Sequence, residues 1–403
     1  MDRAHHSWNY DLLGGVTLFT GAALSMVAAN SPLLPMYNEL VNTHFVVKFG
    51  ELGLSKPLQL WINDGLMAVF FLFVGLELKR ELLVGNLSSL RSASLPLAAA
   101  LGGVVVPALI FVLLNPPETR RGWAIPTATD IAFALGVVSM LSRRVPPALK
   151  AFILSLAVFD DLAAIIIIAT FYTSGISYGA QFAAVAVMAI LLLLNRTRVM
   201  RLGPYLLLGV ILWACVLKSG VHATLSGVLV ALSIPMTAED GTKPGPLEAL
   251  EHALRPWVVF LILPLFAFAN SGISLHGITP NMMMEPVTLG IIAGLFVGKV
   301  LGVCLGTACL VVPGFATLPG GVGVPMFIGA GFLTGIGYTM SLFIGTLAFE
   351  AEWHSLGREM KLGVLAGSFL SVVLGVVIVL LTSRHDANAP VSPPAMPKQP
   401  VSS

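Results

Sequence analysis

The chain has 403 residues, of which 56% are hydrophobic and only 10% are charged. Soluble domains carry about 25% charged residues, so this composition and the mean hydropathy of +0.90 exclude a soluble globular protein. The formal net charge of +2, without a long basic stretch, argues against nucleic acid as a partner. Apolar runs of about 18 residues or more recur along the chain, and each can cross a bilayer. The sequence therefore predicts an all-α polytopic protein surrounded by membrane lipid.

Twelve transmembrane helices are predicted, at residues 11–31, 59–84, 93–114, 123–142, 148–172, 178–194, 202–217, 220–234, 255–273, 287–312, 325–349 and 363–382. The first run is too long for the apolar region of a signal peptide, and many spans follow it, so it is interpreted as a helix. An even number of spans places both termini on one face. Lys and Arg are about twice as frequent on that face as on the other, which indicates cytoplasmic termini.

Two segments outside the spans have their own character. Residues 45–53 combine a short β-rich run with two glycines, which suggests a small hairpin on the outer face, with an irregular loop as the alternative. The tail at 385–403 is rich in Pro, Ser and Ala and is predicted to be disordered. The predicted organisation is a twelve-helix domain at 1–384, with 45–58 as the hairpin segment, followed by that tail.

The fourth span carries Thr129 and Asp130 near its middle, where Pro126 and two threonines interrupt the apolar run. This pattern predicts a helix that breaks within the membrane. A broken helix frees backbone carbonyls and leaves helix ends facing a cavity. Hard cations such as Na⁺ prefer oxygen ligands of this kind.

Asp160 and Asp161 lie together in the middle of the fifth span. Adjacent helical residues point about 100° apart, so the two carboxylates address neighbouring partners from one helix. A charge at mid-bilayer costs roughly 2.5–3.5 kcal/mol, and two such carboxylates cannot both ionise cheaply. One of them will bind a proton, a lysine or a metal cation. This is the chemistry that a cation–proton exchanger needs.

Lys299 lies in the tenth span, with apolar chain on both sides. It is a functional candidate, and it is also a candidate structural ion-pair partner; the two roles are compatible. The eleventh span contains four glycines before Tyr338 and resembles a second broken helix, although glycines also serve close helix packing. Spans 3–5 and 10–12 can then correspond as inverted-topology repeats, with the interrupted spans 4 and 11 at matching positions.

No cofactor is expected. The run from Gly294 to Lys299 is one residue short of a phosphate-binding loop and lacks its Ser or Thr. The glycines at 335 and 337 lie in an apolar span and do not follow a soluble strand, which argues against a dinucleotide site.

Seven stretches carry a specific resemblance, at residues 61–71, 75–82, 126–133, 159–163, 219–224, 263–270 and 335–341. With these motifs, nearly the whole chain closely resembles the NhaA family of bacterial Na⁺/H⁺ antiporters. The resemblance implies twelve helices with crossed, broken helices 4 and 11. It also implies exchange of one Na⁺ or Li⁺ for two protons, driven by the proton-motive force across the bacterial inner membrane.

The resemblance assigns roles to the membrane-embedded polar residues. Asp161 would be the main Na⁺-binding carboxylate, with Asp130 and Thr129 close by as further metal ligands. Asp160 would pair with Lys299. The outer hairpin would form a homodimer.

The resemblance also implies control by pH. A group of residues matches a cytoplasmic region linked to activation at alkaline pH, namely Glu77, Arg80, Glu81, Glu251 and His252. His222 matches another pH-linked position. One departure from the family pattern is Arg255, which stands where the best-known pattern has a second histidine. Because Arg stays charged near neutrality, the family's set-point of pH cannot be transferred to this chain.

Three other functions compete with exchange. A Na⁺- or H⁺-coupled symporter of an organic solute would need a second site, and no intramembrane Arg suited to an anionic solute is present. A passive cation channel is opposed by the buried Lys299. The third alternative is a sensor or scaffold without transport. The sequence therefore predicts a secondary active transporter and not an enzyme.

Overall fold

A computed structural model describes residues 2–49, 52–85, 87–142, 144–173, 175, 177–236, 245–350 and 352–386. The first half holds α1 (Asp2–Ala29), α2 (Leu34–Asn42), β1 (His44–Phe49), β2 (Leu52–Pro57), α3 (Leu58–Leu83), α4 (Leu90–Leu114), a 3₁₀ segment (Arg120–Thr127), α5 (Ile131–Met140), α6 (Pro147–Phe171) and α7 (Tyr178–Arg196). The second half holds α8 (Leu202–Ser219), α9 (Leu225–Ser233), α10 (Pro246–Ser271), a 3₁₀ turn (Pro280–Met284), α11 (Pro286–Val311), α12 (Val324–Thr334), α13 (Tyr338–Ala348) and α14 (Trp353–Asp386).

The predicted polytopic helical architecture is confirmed. Within the described residues, ten helical segments are long and apolar enough to cross a membrane, or eleven if α12 and α13 count as one bent span. The prediction of twelve included residues 220–234 as a full span. That region holds α9, which has nine residues and is therefore roughly 14 Å long, about half the thickness of the hydrocarbon.

The predicted hairpin is present as a two-stranded antiparallel sheet. Its register runs from His44 opposite Pro57 to Phe49 opposite Leu52, and residues 50–51 between the strands lie outside the described part of the chain. The sheet is fastened to α3. The indole nitrogen of Trp61 donates to the carbonyl of Phe45 at 3.0 Å.

Two helical paths are interrupted near the centre of the molecule. The 3₁₀ segment ends at Thr127, and the chain is extended from Ala128 to Asp130 before α5 begins. Pro126 contributes to this interruption because it has no backbone N–H to donate. The second interruption lies at residues 335–337, where the axes of α12 and α13 differ by 43°.

Glycines let the two helices that flank these interruptions approach closely. α4 crosses α11 at Gly102 and Gly302, where a Cβ atom on either residue would overlap the carbonyl oxygen of the other. In α11 a π-helical turn, Gly294–Gly298, directly precedes Lys299. Gly298 lies against Pro107 of α4. This crossing brings Lys299 next to the first interruption.

The last helix, α14, continues to Asp386. Residues 387–403 hold nearly all of the predicted disordered tail and lie outside the described residues.

Candidate ion site

The two interrupted segments touch each other. The backbone N–H of Asp130 donates to the carbonyl of Ile336 at 2.6 Å, and the hydroxyl of Thr129 lies 2.7 Å from the carbonyl of Thr334. A Cβ atom on Gly337 would lie 2.8 Å from the carbonyl oxygen of Ala128, so only glycine permits this approach. The breaks at 128–130 and 335–337 therefore form one polar crossing.

Asp130 binds the amino-terminal ends of two helices. Its Oδ1 accepts from the backbone N–H of Phe133 at 3.0 Å in the first turn of α5. Its Oδ2 accepts from the backbone N–H of Thr339 at 2.9 Å and from the Thr339 hydroxyl at 2.6 Å, in the first turn of α13. A carboxylate is favourable there because helix amino termini carry partial positive charge and unpaired N–H groups.

Lys299 supplies the opposite charge at a carboxyl-terminal end. Its Nζ donates to the carbonyl of Thr127, the last residue of the 3₁₀ segment, at 2.5 Å and to Oδ2 of Asp160 at 2.7 Å. The Lys299 and Asp160 side chains are both 0% exposed. The predicted pair of Asp160 and Lys299 is thus found, and the ammonium is also shared with a free helix-end carbonyl.

Thr129 joins the crossing to the aspartate pair. Its hydroxyl lies 2.6 Å from Oδ2 of Asp160 as well as 2.7 Å from the carbonyl of Thr334. A hydroxyl has one hydrogen to donate, so it serves one of these two acceptors at a time. Any change in the charge of Asp160 can therefore redirect the Thr129 hydroxyl.

Two carboxylate oxygens of the site have no hydrogen-bond partner among the described residues, Oδ1 of Asp160 and Oδ2 of Asp161. Both aspartates are 2% exposed. An unsatisfied carboxylate oxygen in a buried setting is costly. These two atoms therefore favour a bound proton or cation, which is the behaviour expected of an ion-exchange site.

The predicted Na⁺ ligands lie on neighbouring elements. Asp130 and Thr129 are adjacent in the first interruption, and Asp161 follows Asp160 in the buried α6. In the part of the chain that the structure describes, no group of three or more His, Cys, Asp and Glu side chains is spaced to hold a metal ion. The expected Na⁺ site uses two carboxylates and a hydroxyl, so it does not require a group of three such side chains.

The residues predicted to be pH-linked fall into two places. Arg80 on α3 binds Oε2 of Glu251 on α10 through its Nε at 2.8 Å and Oε1 of Glu81 through a terminal nitrogen at 2.9 Å. Glu77 is half-buried one turn before Glu81. His252 is exposed and makes no hydrogen bond or ion pair with these groups in the described chain.

His222 lies elsewhere, beside an acid that sequence reasoning did not single out. Its Nδ1 is 2.7 Å from the Thr224 hydroxyl, and its Nε2 is 3.8 Å from Oδ1 of Asp64. Asp64 also binds the Lys56 ammonium at 2.6 Å. Asp64 and Arg80 are both on α3, 16 residues and therefore about 24 Å apart. Asp64 could have been identified from the sequence, because it is a charged residue inside the apolar run 59–84. Nothing comparable in the sequence distinguishes Thr339.

Comparison with known proteins gives consistent matches. A profile of the family described as Na⁺/H⁺ antiporter 1 matches residues 6–379. The Na⁺/H⁺ antiporter NhaA of Rhodospirillum rubrum is 52% identical over 385 residues, covering 94% of this chain and 96% of that protein. The antiporter NhaA of Cronobacter sakazakii is 52% identical over 383 residues, covering 94% and 97%. That of Shewanella frigidimarina is 50% identical over 378 residues, covering 93% and 95%.

The Thr339 hydroxyl gives a test of the Asp130 geometry. Thr339→Val removes a buried donor to Asp130, so we expect the free energy of unfolding to fall by about 1–3 kcal/mol, measured by thermal unfolding in detergent. Thr346→Val is the matched control, because that hydroxyl donates only to the carbonyl of Phe343 within its own helix. Equal losses in the two variants would contradict a special role for the bond between Thr339 and Asp130.

Proposed function

The chain belongs to the Na⁺/H⁺ antiporter 1 family and exchanges Na⁺ for H⁺ across a membrane, and we propose that one site built around Asp160 and Asp161 carries both ions. The observation that carries this proposal is the pair of buried, unpartnered oxygens, Oδ1 of Asp160 and Oδ2 of Asp161. Protons and Na⁺ compete for the same oxygens, so binding of one ion requires release of the other. The protein is accordingly a transporter and not an enzyme.

Na⁺ binds Asp161 as its main carboxylate ligand, with Asp130 and Thr129 supplying further oxygens, and Li⁺ binds in the same way. The position of Thr129 supports this assignment, because its hydroxyl can turn from Asp160 to the carbonyl of Thr334 and leave a lone pair for the cation. Asp130 keeps the ends of α5 and α13 together while the ion is exchanged.

Lys299 carries one of two exchanged protons. When Na⁺ arrives, Asp160 is drawn towards the cation and away from Lys299, and the ammonium keeps only the carbonyl of Thr127. An uncompensated charge in the hydrocarbon is costly, so Lys299 gives up its proton. Asp161 gives up the other. Two protons for one Na⁺ make the exchange electrogenic. The alternative is that Lys299 is a structural partner and both protons belong to the aspartates.

The twelve-helix count and the inverted repeats form part of this proposal. Counting α12 with α13 as one span, and α9 with the turn before it as another, gives twelve. The first repeat is then α4 to α6 with the 3₁₀ segment, and the second is α11 to α14. Two contacts between equivalent elements support this symmetry: Gly102 packs on Gly302, and Asp130 binds Ile336 across the two breaks. Rocking of these repeats against the other helices alternates access to the site.

Activation at alkaline pH is proposed to act through the cluster of Arg80, Glu81 and Glu251, with Glu77 beside it. The ion pair of Arg80 with Glu251 joins α3 to α10, so a change of charge there alters how two helices outside the repeats pack. Arg255, one turn after Glu251, contributes a permanent positive charge. His222 acts separately, through Asp64, and His252 acts from the exposed face of α10.

We place the protein in the bacterial inner membrane with both termini in the cytoplasm, on the bias of Lys and Arg. The two-stranded sheet then lies on the outer face. Phe45, Val46 and Val47 of β1 are 60%, 59% and 50% exposed. Exposed apolar residues on a strand with one unpaired edge favour pairing with a further strand, which supports a homodimer through the hairpin.

The carboxylate at position 161 is tested first. Asp161→Asn should abolish Na⁺/H⁺ exchange without unfolding the protein, because it removes the acid that both ions require, and Asp160→Asn should cripple exchange. Purified variants are reconstituted in proteoliposomes, and collapse of an imposed pH gradient on addition of Na⁺ is recorded. Glu39→Gln, a carboxylate-to-amide change at an exposed position, is the control. Na⁺/H⁺ exchange at the wild-type rate by Asp161→Asn would contradict the proposal.

The role of Lys299 is tested by stoichiometry. Lys299→Gln keeps a hydrogen-bond donor and loses the titrating proton, so exchange should fall to one proton per Na⁺ and become electroneutral. The measurement is the membrane potential generated during exchange in proteoliposomes. Lys218→Gln, at an exposed lysine near the end of α8, should remain electrogenic. A Lys299→Gln protein that folds and still generates a potential would establish the structural alternative.

The dimer is tested by removing the hairpin. Deletion of residues 45–54 keeps Lys56 and its ion pair with Asp64, and it should convert the dimer to a monomer because the exposed strand edge is lost. Exchange should be largely retained, since every proposed ligand lies within one chain. Native mass spectrometry gives the oligomeric state, with Val46→Thr as a control that keeps the strand. A deletion variant that remains dimeric contradicts the hairpin interface.

A further inference from the structure

The end of α10 and the segment 271–276, which begins at the last residue of α10, receive side chains from two groups of helices. One group is the repeat helices, here α13 and α14. The other group comprises α1, α2 and α3. Gln59, the second residue of α3 after the hairpin, binds Oδ1 of Asn270 at 3.0 Å. This junction therefore lies at the hairpin end of the molecule.

On one side, the junction is tied to the helices outside the repeats. Asn63 of α3 and Asn270 of α10 exchange two side-chain hydrogen bonds, of 3.2 and 2.8 Å, and are 4% and 0% exposed. Asn30, just after α1, donates to the carbonyl of Ile273 at 2.8 Å and accepts from the N–H of Leu275 at 2.6 Å. The buried amide pair fixes the end of α10 to α3, and the two Asn30 bonds attach the 271–276 segment to the same side.

On the other side, three side chains of the repeat helices hold the same segment. The Tyr338 hydroxyl of α13 donates to the Ser271 hydroxyl, and both residues are buried. From α14, Lys361 donates to the carbonyl of Gly272 at 3.0 Å. Arg358 donates to the carbonyl of Ser274 at 2.9 Å and also to that of His276. The two cations neutralise the negative carboxyl-terminal end of α10.

Tyr338 connects this junction directly to the ion site. It immediately precedes Thr339, which holds Oδ2 of Asp130. Its ring lies 6.0 Å from that of Phe133, whose N–H binds Oδ1 of the same aspartate. A movement of α13 away from Ser271 would therefore also move one of the two helix ends that Asp130 binds.

We infer that Tyr338, Arg358 and Lys361 form a latch on the 271–276 segment that closes the ion site towards the hairpin end. The inference rests on the proposed rocking of the repeats. These bonds join the two groups of helices, so a movement of one group relative to the other would have to break them. In each cycle the latch opens to connect the site with the hairpin side and closes again when the site faces the opposite side.

The chemistry of the contacts suits repeated opening. The latch bonds are a neutral hydroxyl pair and bonds from cations to carbonyl oxygens, without a buried carboxylate that would be left unpaired on separation. Nε of Arg358 is buried and has no partner among the described residues. The guanidinium is thus incompletely satisfied in this conformation, so separation costs less than for a fully paired group.

Hydrogen exchange measured by mass spectrometry tests the latch in lipid nanodiscs without Na⁺ at fixed pH. The variants are Tyr338→Phe and Arg358→Gln. One buried hydrogen bond of ordinary strength corresponds to about a five-fold change in an equilibrium constant. We expect amides in peptides covering 128–134 and 336–342 to exchange about three- to ten-fold faster in both variants than in the wild type. Arg358 is the stricter probe, because it lies outside these peptides.

Tyr37→Phe is the matched control. Its hydroxyl also binds this end of α10, donating to the carbonyl of Phe268 at 2.8 Å, but it belongs to α2, outside the repeats. Burial raises the pKa of Tyr37 to about 12, so the hydroxyl stays protonated. The control should leave the hydrogen-exchange rates of amides at 128–134 and 336–342 unchanged.

Two results would overturn the latch. One is hydrogen exchange at the wild-type rate in Arg358→Gln, and the other is an equal increase of the hydrogen-exchange rate in Tyr37→Phe and Tyr338→Phe. If Arg358→Gln does not fold, Lys361→Met keeps the apolar stem and applies the same comparison. The measurement requires no transport, so a wild-type protein that failed to exchange Na⁺ for H⁺ would contradict the proposed function without affecting this test.

Discussion

Two helical paths end among buried residues, where no bulk water satisfies their free backbone groups, and the rest of the structure depends on how those groups are paired. Asp130 accepts hydrogen bonds from N–H groups at the start of α5 and α13, and Lys299 donates to the carbonyl at the end of the 3₁₀ segment. A negative group lies at the positive helix ends and a positive group at a negative one. The buried charges thus stabilise the free helix ends, and the free helix ends in turn stabilise the buried charges.

This arrangement would link ion binding at the proposed site to conformation. The ammonium of Lys299 is divided between Asp160 and the carbonyl of Thr127, and the hydroxyl of Thr129 is divided between Asp160 and the carbonyl of Thr334. Asp160 is therefore the common partner of two groups that also hold the broken ends. Any ion that competes for Asp160 changes what those ends bind. Transport by a rocking mechanism requires such a connection between occupancy and helix position.

The polar residues farther from the site divide between the two ends of α3. Near the hairpin, Asp64 binds Lys56 and lies close to His222. Near the other end, Arg80 joins Glu81 to Glu251. In both places an ion pair connects α3 to another element, while the proposed ion site lies on the proposed repeat helices. Regulation through these clusters would therefore act on the packing among the helices outside the repeats, and the contacts around 271–276 connect those helices to α13 and α14.

The sequence by itself determined the membrane-spanning class, the family and the embedded charges, because each depends on composition or on short motifs, and it left the hairpin open against an irregular loop. Charged residues in apolar runs are visible without a structure, and Asp130, Asp160, Asp161 and Lys299 were found in this way. The family resemblance predicted the pair of Asp160 and Lys299, and only the tertiary structure decided which other groups bind one another. Lys299 binds a carbonyl 172 residues away and Asp130 binds a threonine 209 residues away; helix packing creates such contacts, and no local pattern encodes them. The short α9 was missed for the same reason, since hydropathy does not report where neighbouring helices place a segment.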